Sequence, residues 1–308
     1  MPTNFWANKR VLVTGSAGFV GMHLSGALGS LHALVWGISR TTGDHIDVTD
    51  RDALVPYFQK KPEVIFHLAG EALVEHGQEA PFETFQTNVS GTLNILELSR
   101  IYHIPRIIIA STAHVYGAGQ SPFHEDDPPR QSRPYETSKT MTDLLAQSYA
   151  DSFNLPVVIP RFANIYGPAD ANISRLVPKT IRCILGDKPI PLWGGAARRE
   201  YLYIDDAVEA YLLLGSVSGA KLEKNRIYNF GTGLPITVRD LILTIAKLAS
   251  REASFCPGKE ERTHEITDQF VSWEKARRIL GWRPKVTLEE GLYQTIVWYQ
   301  KHPYTRPV

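Results

Sequence analysis

Short apolar runs alternate along the chain with longer amphipathic stretches. Lys9-Arg10-Val11-Leu12-Val13-Thr14 is a β-branched run that halts at Gly15, the pattern of a strand buried on both faces of a parallel sheet. Residues 18 to 30 then carry a helical pattern, and Ala33 to Ile38 predicts a second strand. The rhythm continues with a strand at Val64-Ile65-Phe66-His67-Leu68, a helix from Phe85 to Tyr102 and a strand at Ile107-Ile108-Ile109-Ala110. A loop rich in proline and acid, Gly117 to Pro134, leads into a helix from Tyr135 to Phe153 and the strand Val157-Val158-Ile159. Such alternation predicts βαβ units, and so an α/β fold with a doubly wound parallel sheet and right-handed crossovers.

After Tyr166-Gly167-Pro168 the rhythm changes. Ile173 to Gly195 and Thr237 to the end read as helical segments interrupted by proline and glycine, while Tyr201-Leu202-Tyr203-Ile204 and Ile227-Tyr228-Asn229-Phe230 read as single strands. This predicts a smaller mixed α/β C-terminal lobe that leaves the sheet and returns to it. The expected division is residues 1–165 plus about 205–233 in one domain and 166–204 plus about 234–308 in the other. A ligand cleft is expected between them, at the carboxyl ends of the strands.

Composition narrows the classes. The 308 residues suit one large domain or two intimate ones, and 43% hydrophobic with 21% charged residues is an ordinary globular balance. Lysine and arginine number 33 against 32 aspartate and glutamate, a net charge of +1 that gives no reason to expect nucleic acid or an anionic membrane as a partner. Cys183 and Cys256 lack CxxC spacing, so a disulfide framework is excluded and the cytoplasm is the expected location. No metal site is expected. Positions 11 to 39 carry no Asp, Glu, Lys or Arg, which is long enough to suggest a membrane span. Six glycines, at 15, 18, 21, 26, 29 and 37, together with His23 and His32, divide that run and argue for strand, turn, helix and strand instead. The same stretch offers no apolar core with a cleavage site of the kind a signal peptide needs.

Within it, Gly15-Ser16-Ala17-Gly18-Phe19-Val20-Gly21 forms a Gly-x-x-Gly-x-x-Gly turn between a strand and a helix. Glycines there let the backbone turn tightly and let a pyrophosphate approach the amides at the helix N-terminus, the signature of a dinucleotide-binding Rossmann unit. The second strand ends in Ser39-Arg40, a small residue followed by arginine, which favours the 2′-phosphate of NADP over the ribose hydroxyls of NAD. Arg40 as a solvated surface charge is the plain alternative. Asp44 and Asp47 are later candidates for the acid of an NAD site, with Asp47-Val48 assigned to the adenine edge.

Tyr135-Glu136-Thr137-Ser138-Lys139 places a phenol and an ammonium one helical turn apart. A free tyrosine, with a pKa of about 10, is a poor proton-transfer group, and a neighbouring ammonium favours its phenolate. The strand end Ser111-Thr112 can supply a hydroxyl to hold a substrate oxygen.

With these features the sequence resembles the extended short-chain dehydrogenase/reductase family, in its nucleotide-diphosphate-sugar epimerase, dehydratase and reductase branch. The resemblance runs through His67-Leu68-Ala69-Gly70, Thr87-Asn88-Val89-Ser90-Gly91-Thr92, Ser111-Thr112-Ala113-His114-Val115-Tyr116-Gly117 and the Tyr135/Lys139 pair. It continues through Arg161-Phe162-Ala163-Asn164-Ile165-Tyr166-Gly167-Pro168, Arg199-Glu200-Tyr201 with Asp205-Asp206, Asn229-Phe230-Gly231-Thr232-Gly233 and Leu280-Gly281-Trp282. It implies that Tyr135 is the general acid/base, that Lys139 binds the nicotinamide ribose and lowers the Tyr135 pKa, and that Thr112 polarises the reacting oxygen. It also implies that Leu68, Ala69, Gly70 and Asn88 line the cofactor site, and that Asn164, Arg199 and Arg262 bind the diphosphate and nucleoside. A structural salt bridge from Arg199 to Asp205 or Asp206 is the alternative for that residue. A homodimer through the helices of residues 85–102 and 135–153 is implied as well.

Departures from the family pattern narrow the reaction. Sugar 4,6-dehydratases carry an acid after the strand-end threonine, and here those positions are Ala113 and His114, which argues against dehydration and the related decarboxylation. His114 as a base is the sharper reading of that residue, and a packing histidine the plainer one. Ser39-Arg40 leans toward an NADP-dependent 4-keto-sugar reductase. The alternative is a nucleotide-sugar 4-epimerase with tightly bound NAD. A catalytically silent NAD(P)-binding regulator is the third reading, opposed by the presence of both Tyr135 and Lys139.

Overall fold

Alternate side chains of the central strands enter two different cores. Val11 and Val13 of the strand Arg10–Thr14 pack with Leu24, Leu28 and Phe66 on one face, whereas Leu12 packs with Leu54, Phe58 and Ile65 on the other. The strands Val64–His67 and Ile107–Ile109 divide in the same way, Phe66 and Ile108 to the first core and Ile65, Ile107 and Ile109 to the second. Each fully buried aliphatic side chain is worth about 1.5–3 kcal/mol, so helices must cover both faces.

The computed structural model describes residues 5–130, 133–192, 195–219, 225–258 and 266–303. Its main sheet has seven strands, and all its pairings are parallel. From one edge the order is Ile227–Phe230, Val157–Phe162, Ile107–Ile109, Val64–His67, Arg10–Thr14 and Leu34–Ile38, with Ser111–Thr112 pairing onto Val157–Phe162. Because Arg10–Thr14 is flanked by the next two main-sheet strands in sequence, its carboxyl end is the switch point at which such sheets open a crevice. Leu34–Ile38 lies at the sheet edge and is mostly half-exposed.

Several elements differ from the sequence pattern. The helix Arg51–Gln59, capped by Asp50, does not show in the pattern because Pro56 lies inside it, yet it buries Leu54, Tyr57 and Phe58. The expected 85–102 helix is a short helix Pro81–Phe85, a π-helical turn Gln86–Ser90 and the helix Gly91–Ile101. The strand expected at 157–159 runs to Phe162. Its neighbour changes from Ile107–Ile109 to Ser111–Thr112 along the way, and Pro160, which has no amide hydrogen, sits in the gap between those pairings.

Beyond Phe162 the chain builds small sheets. Asn164–Tyr166 pairs with Tyr201–Tyr203, Ile190–Leu192 with Phe255–Pro257, and Arg198–Arg199 with both Ile236–Thr237 and Asp268–Gln269. The helix Ile204–Ser216 returns to pack against Phe19–Ser30, and Ile227–Phe230 rejoins the main sheet. The first core continues without a break into Tyr166, Tyr203, Leu241, Ile245, Leu292 and Ile296.

One buried polar cluster ties this scaffold together. Arg161, 1% exposed, donates from Nε and Nη2 to the two carboxylate oxygens of Asp143, both at 2.9 Å, and Asp143 has no exposed surface. Ser111 Oγ donates to the same carboxylate at 2.8 Å. Arg161 Nη1 donates to Tyr116 Oη at 3.0 Å, and Tyr116 donates to Asn229 at 2.7 Å. Removing one member of a buried pair strands the other's charge, so Asp143→Ala is expected to cost about 3–5 kcal/mol by denaturant unfolding. A loss below about 1 kcal/mol, the scale of a surface pair, would contradict this role.

Candidate active site

The carboxyl end of the first strand is shaped for close approach. Gly15 has φ +69°, and a Cβ there would stand 2.7 Å from the Ala69 amide nitrogen; one on Gly21 would stand 2.1 Å from the Gly15 carbonyl oxygen. Only glycine at both sites lets turn, helix and neighbouring strand meet. The helix Phe19–Ser30 begins after Gly18 with no side-chain cap and no acid in its first turn. Its first amides and the positive end of its dipole therefore fit an anionic diphosphate. Thr14 Oγ1 lies 2.8 Å from His67 Nδ1 and accepts from the Ala69 amide at 3.2 Å, which fixes Leu68-Ala69-Gly70 beside the turn. Burial, helped by the charge on Lys139, pulls His67 down to about 3, so its ring is neutral.

Asn88, expected at the cofactor site, has its side chain engaged within the protein. Its Oδ1 accepts from the Glu71 amide at 2.7 Å, and its Nδ2 donates to the Glu71 carbonyl at 3.1 Å and to Ser138 Oγ at 2.8 Å. Ser138 in turn donates to the Tyr135 carbonyl at 2.7 Å. The π-helical turn places this asparagine between the loop at Gly70-Glu71 and the helix Pro134–Phe153, so it is a positioning residue.

Thr112, Tyr135 and Lys139 come together on a cavity of about 470 Å³ that begins at Phe19, Val20, Leu68 and Gly70. Tyr135 is 8% exposed and lines the cavity beside Thr112. Burial, reinforced by the carboxylates of Glu136 and Glu71, pushes its phenol up to about 12 against the opposing pull of Arg175 and Thr112. Lys139 Nζ donates to the Ala110 carbonyl at 2.6 Å, and burial pulls it down to about 8 although Asp143 opposes. Lys139, expected to lower the Tyr135 pKa, is not among the groups that shift it here; its ammonium turns to the Ala110 carbonyl.

The far wall carries the expected substrate side. Asn164 Nδ2 donates to the Glu200 carbonyl at 3.2 Å, and Arg199 Nη1 donates to the Arg198 carbonyl at 2.8 Å; both residues line the cavity. The Asp206 carboxylate accepts instead from the amides of Lys285 and Val286, both at 3.0 Å. Arg262 lies outside the described residues. Glu200, absent from the sequence expectations, buries its carboxylate under the amides of Thr232, Gly233 and Val271, each at 2.7 Å, and so anchors the strand end that carries Arg199. Reasoning from the motifs also passed over Glu71, Glu136 and Arg175, which line the cavity beside Tyr135.

At the outer rim, Arg40 is exposed and its Nη1 lies 3.9 Å from Asp47 Oδ2. Asp47 Oδ1 accepts from the amide and hydroxyl of Thr49 at 2.8 and 2.9 Å, and Tyr57 donates to Asp44. Ser39 Oγ sits 3.1 Å from Thr41 Oγ1. Val48 is buried, and Asn94 Nδ2 holds its carbonyl at 3.0 Å.

Residues 11–231 match the sequence profile of the NAD dependent epimerase/dehydratase family. The chain is 30% identical to a UDP-glucuronate 4-epimerase of Thermodesulfobacterium geofontis, over 94% of this chain and 96% of that one. It is also 30% identical to a dTDP-D-glucose 4,6-dehydratase of Mus musculus, over 96% and 89%. Among solved structures, the UDP-glucose 4-epimerase of Thermotoga maritima, determined with UDP-glucose, superimposes with a TM-score of 0.87 at 28% identity, covering 96% of this chain and 99% of the other.

The buried lysine sets a pH signature. In the folded chain its ammonium titrates at about 8 against an ordinary 10.5, so between those values the unfolded chain binds more protons and stability rises with pH. Lys139→Met relieves that burden, and a net gain of about 1 kcal/mol raises Tm by roughly 2–4 °C in cofactor-free protein at pH 7. The gain should shrink toward pH 10. A variant no more stable than the parent at pH 7 would count against a desolvated ammonium.

Proposed function

The chain belongs to the NAD dependent epimerase/dehydratase family, and on that premise we propose that it is a nucleotide-sugar 4-epimerase acting on a uridine diphosphate sugar with NAD. One observation carries this reading: Thr112 and Tyr135 line one cavity, while the two positions after Thr112, where a dehydratase needs an acid, are Ala113 and His114. The similarity to two UDP-sugar 4-epimerases supports the epimerase over the reductase, and the names of those relatives support the uridine base.

In this reading the turn at Gly15, Gly18 and Gly21 and the uncapped helix at Phe19 and Val20 hold the cofactor's diphosphate. Leu68, Ala69 and Gly70 lie against it, and Lys139 meets the nicotinamide ribose. When bound, NAD supplies the hydride acceptor and donor. Thr112 holds the sugar's C4 oxygen by a hydrogen bond while Tyr135 takes the proton from that hydroxyl and later returns it. A phenol at about 12 is mostly protonated at neutral pH, so Tyr135 accepts the substrate proton only after its own proton has left to solvent, a loss favoured when Lys139 swings its ammonium from Ala110 toward the phenol. Asn164, Arg199 and Arg262 take the diphosphate and nucleoside, arginines being suited to bidentate contact with phosphate.

The rim favours NAD over NADP. Arg40 shares its surroundings with Asp47, and a carboxylate beside it offsets the charge a 2′-phosphate would need. We further infer two lobes divided as the sequence pattern suggests, a cytoplasmic location consistent with the free thiols Cys183 and Cys256, and a homodimer. Met141 and Leu144 on one helix and Leu93 and Ile101 on the helix packed against it leave apolar surface exposed, which a second copy would cover.

Three measurements test this. A panel of UDP-hexoses and UDP-hexuronates should show interconversion of C4 epimers without net consumption of reduced nicotinamide, and Tyr135→Phe should lower kcat by about 10²-fold or more. Net oxidation of NADPH by a 4-keto sugar, or release of a 4-keto-6-deoxy sugar, would instead indicate a reductase or a dehydratase. NAD should bind more tightly than NADP, the reverse order restoring the Ser39-Arg40 argument. Light scattering should give a dimer, and Met141→Glu combined with Leu144→Glu a monomer; a parent chain that is already monomeric would remove the interface.

A further inference from the structure

Two side-chain bonds tie the strand end that carries Thr112 to the helix that carries Tyr135. Lys139 Nζ donates to the Ala110 carbonyl at 2.6 Å, and Ser111 Oγ donates to Asp143 Oδ2 at 2.8 Å. On the strand side the two partners are adjacent residues; on the helix Pro134–Phe153 they stand four apart and so share a face. Thr112, the next residue after Ser111, lines the cavity with Tyr135 and Lys139.

The backbone holds this strand end only briefly. Ile107 and Ile108 pair with Val157 and Val158, the pairing resumes at Ser111 and Thr112 for two residues, and Pro160 in the gap has no amide hydrogen to give. The Ala110 amide donates instead to the His67 carbonyl at 3.1 Å. Thr112 Oγ1 accepts from the His114 amide at 3.2 Å, which orients the hydroxyl in its own turn and makes no link to the helix.

The two ties differ in kind. The acceptor for Lys139 is a single neutral carbonyl, whereas Ser111 gives its proton to a carboxylate, and a charged acceptor makes the stronger bond. That carboxylate is also immobile: Asp143 has no exposed surface, and it receives Arg161 Nε and Nη2, both at 2.9 Å, and Gln147 Nε2 at 2.8 Å. Ser111 is itself buried.

We propose that Ser111 is a positioning residue, whose bond to Asp143 keeps Thr112 in place against Tyr135 when Lys139 releases Ala110. The proposal rests on the reading above, in which the ammonium swings toward the phenol during turnover. Without the serine hydroxyl, that swing removes both side-chain ties just when one sugar oxygen must meet Thr112 and Tyr135 together. The buried ion pair thereby acts on the reaction: Arg161 fixes Asp143, Asp143 fixes Ser111, and Thr112 follows through the backbone.

Ser111→Ala removes this tie and leaves the Arg161–Asp143 fork intact. On NAD-loaded protein with the UDP-sugar it epimerises, the variant should lose about tenfold or more in kcat, the scale of a small misplacement of reacting groups, with KM within about threefold of the parent. A kcat loss below about threefold, or a loss confined to KM, overturns the positioning role. The tie is also tested without turnover, in cofactor-free protein carrying isotope-labelled threonine methyl groups, with the Thr112 signal assigned through Thr112→Ser. Ser111→Ala and Lys139→Met each leave one tie, so each alone should leave that signal sharp, and the two together should broaden it well beyond the sum of the single effects. Additive effects overturn the proposal while the 4-epimerase reading stands. If no UDP-sugar is epimerised, the 4-epimerase reading fails, and the methyl signal still decides whether Ser111 holds Thr112.

Discussion

The position of every reacting group depends on the buried ion pair between Arg161 and Asp143. Arg161 sits on the strand Val157–Phe162 and Asp143 on the helix Pro134–Phe153, which also carries Tyr135 and Lys139. Ser111 joins the same carboxylate, and the next residue is Thr112. Two charges withdrawn from water are costly, and the Coulombic return repays them only when geometry and surrounding hydrogen bonds are complete. Here the fork is bidentate, the remaining guanidinium nitrogen finds Tyr116 and the Glu125 carbonyl, and Tyr116 hands on to Asn229 in the strand that closes the sheet. Strand end and helix are thereby fixed to each other by directional bonds, where apolar packing alone would allow sliding.

Electrostatics at the reacting centre is a contest between burial and charge. Desolvation pushes Tyr135 and Lys139 toward their neutral forms, up to about 12 for the phenol and down to about 8 for the ammonium. Glu71 and Glu136 deepen the effect on Tyr135, and Arg175 and Thr112 soften it. The site is therefore poised with a protonated phenol and a lysine that loses its proton more easily than an exposed one, with Ala110 as that lysine's hydrogen-bond partner.

Much of this was legible in the sequence because it is local. Period-two burial of Val11 to Val13, the glycine turn before Phe19 and the four-residue spacing of Tyr135 and Lys139 need only neighbouring residues, and the structure places each where the pattern implies. What stayed hidden depends on distant partners. Asp143 carries no signal of its pairing until Arg161 is brought beneath it, and nothing local shows that the Asn88 side chain holds Glu71 and Ser138. Glu136 passes for a solvated first-turn acid because its neighbour across the cavity, His114, comes from another strand end. The Arg51–Gln59 helix was obscured by Pro56, and the contact between Arg40 and Asp47 shows only once the fold brings them to one rim.

The central claim is that Tyr135 and Thr112 act on one sugar carbon whose hydrogen leaves and comes back within a single bound complex. A UDP-sugar carrying deuterium at C4 tests it most directly. The account predicts that the epimeric product, analysed by mass spectrometry and NMR, retains deuterium at C4 with no transfer to solvent or to free nicotinamide. Loss of the label to solvent, or its appearance in released cofactor, would contradict it.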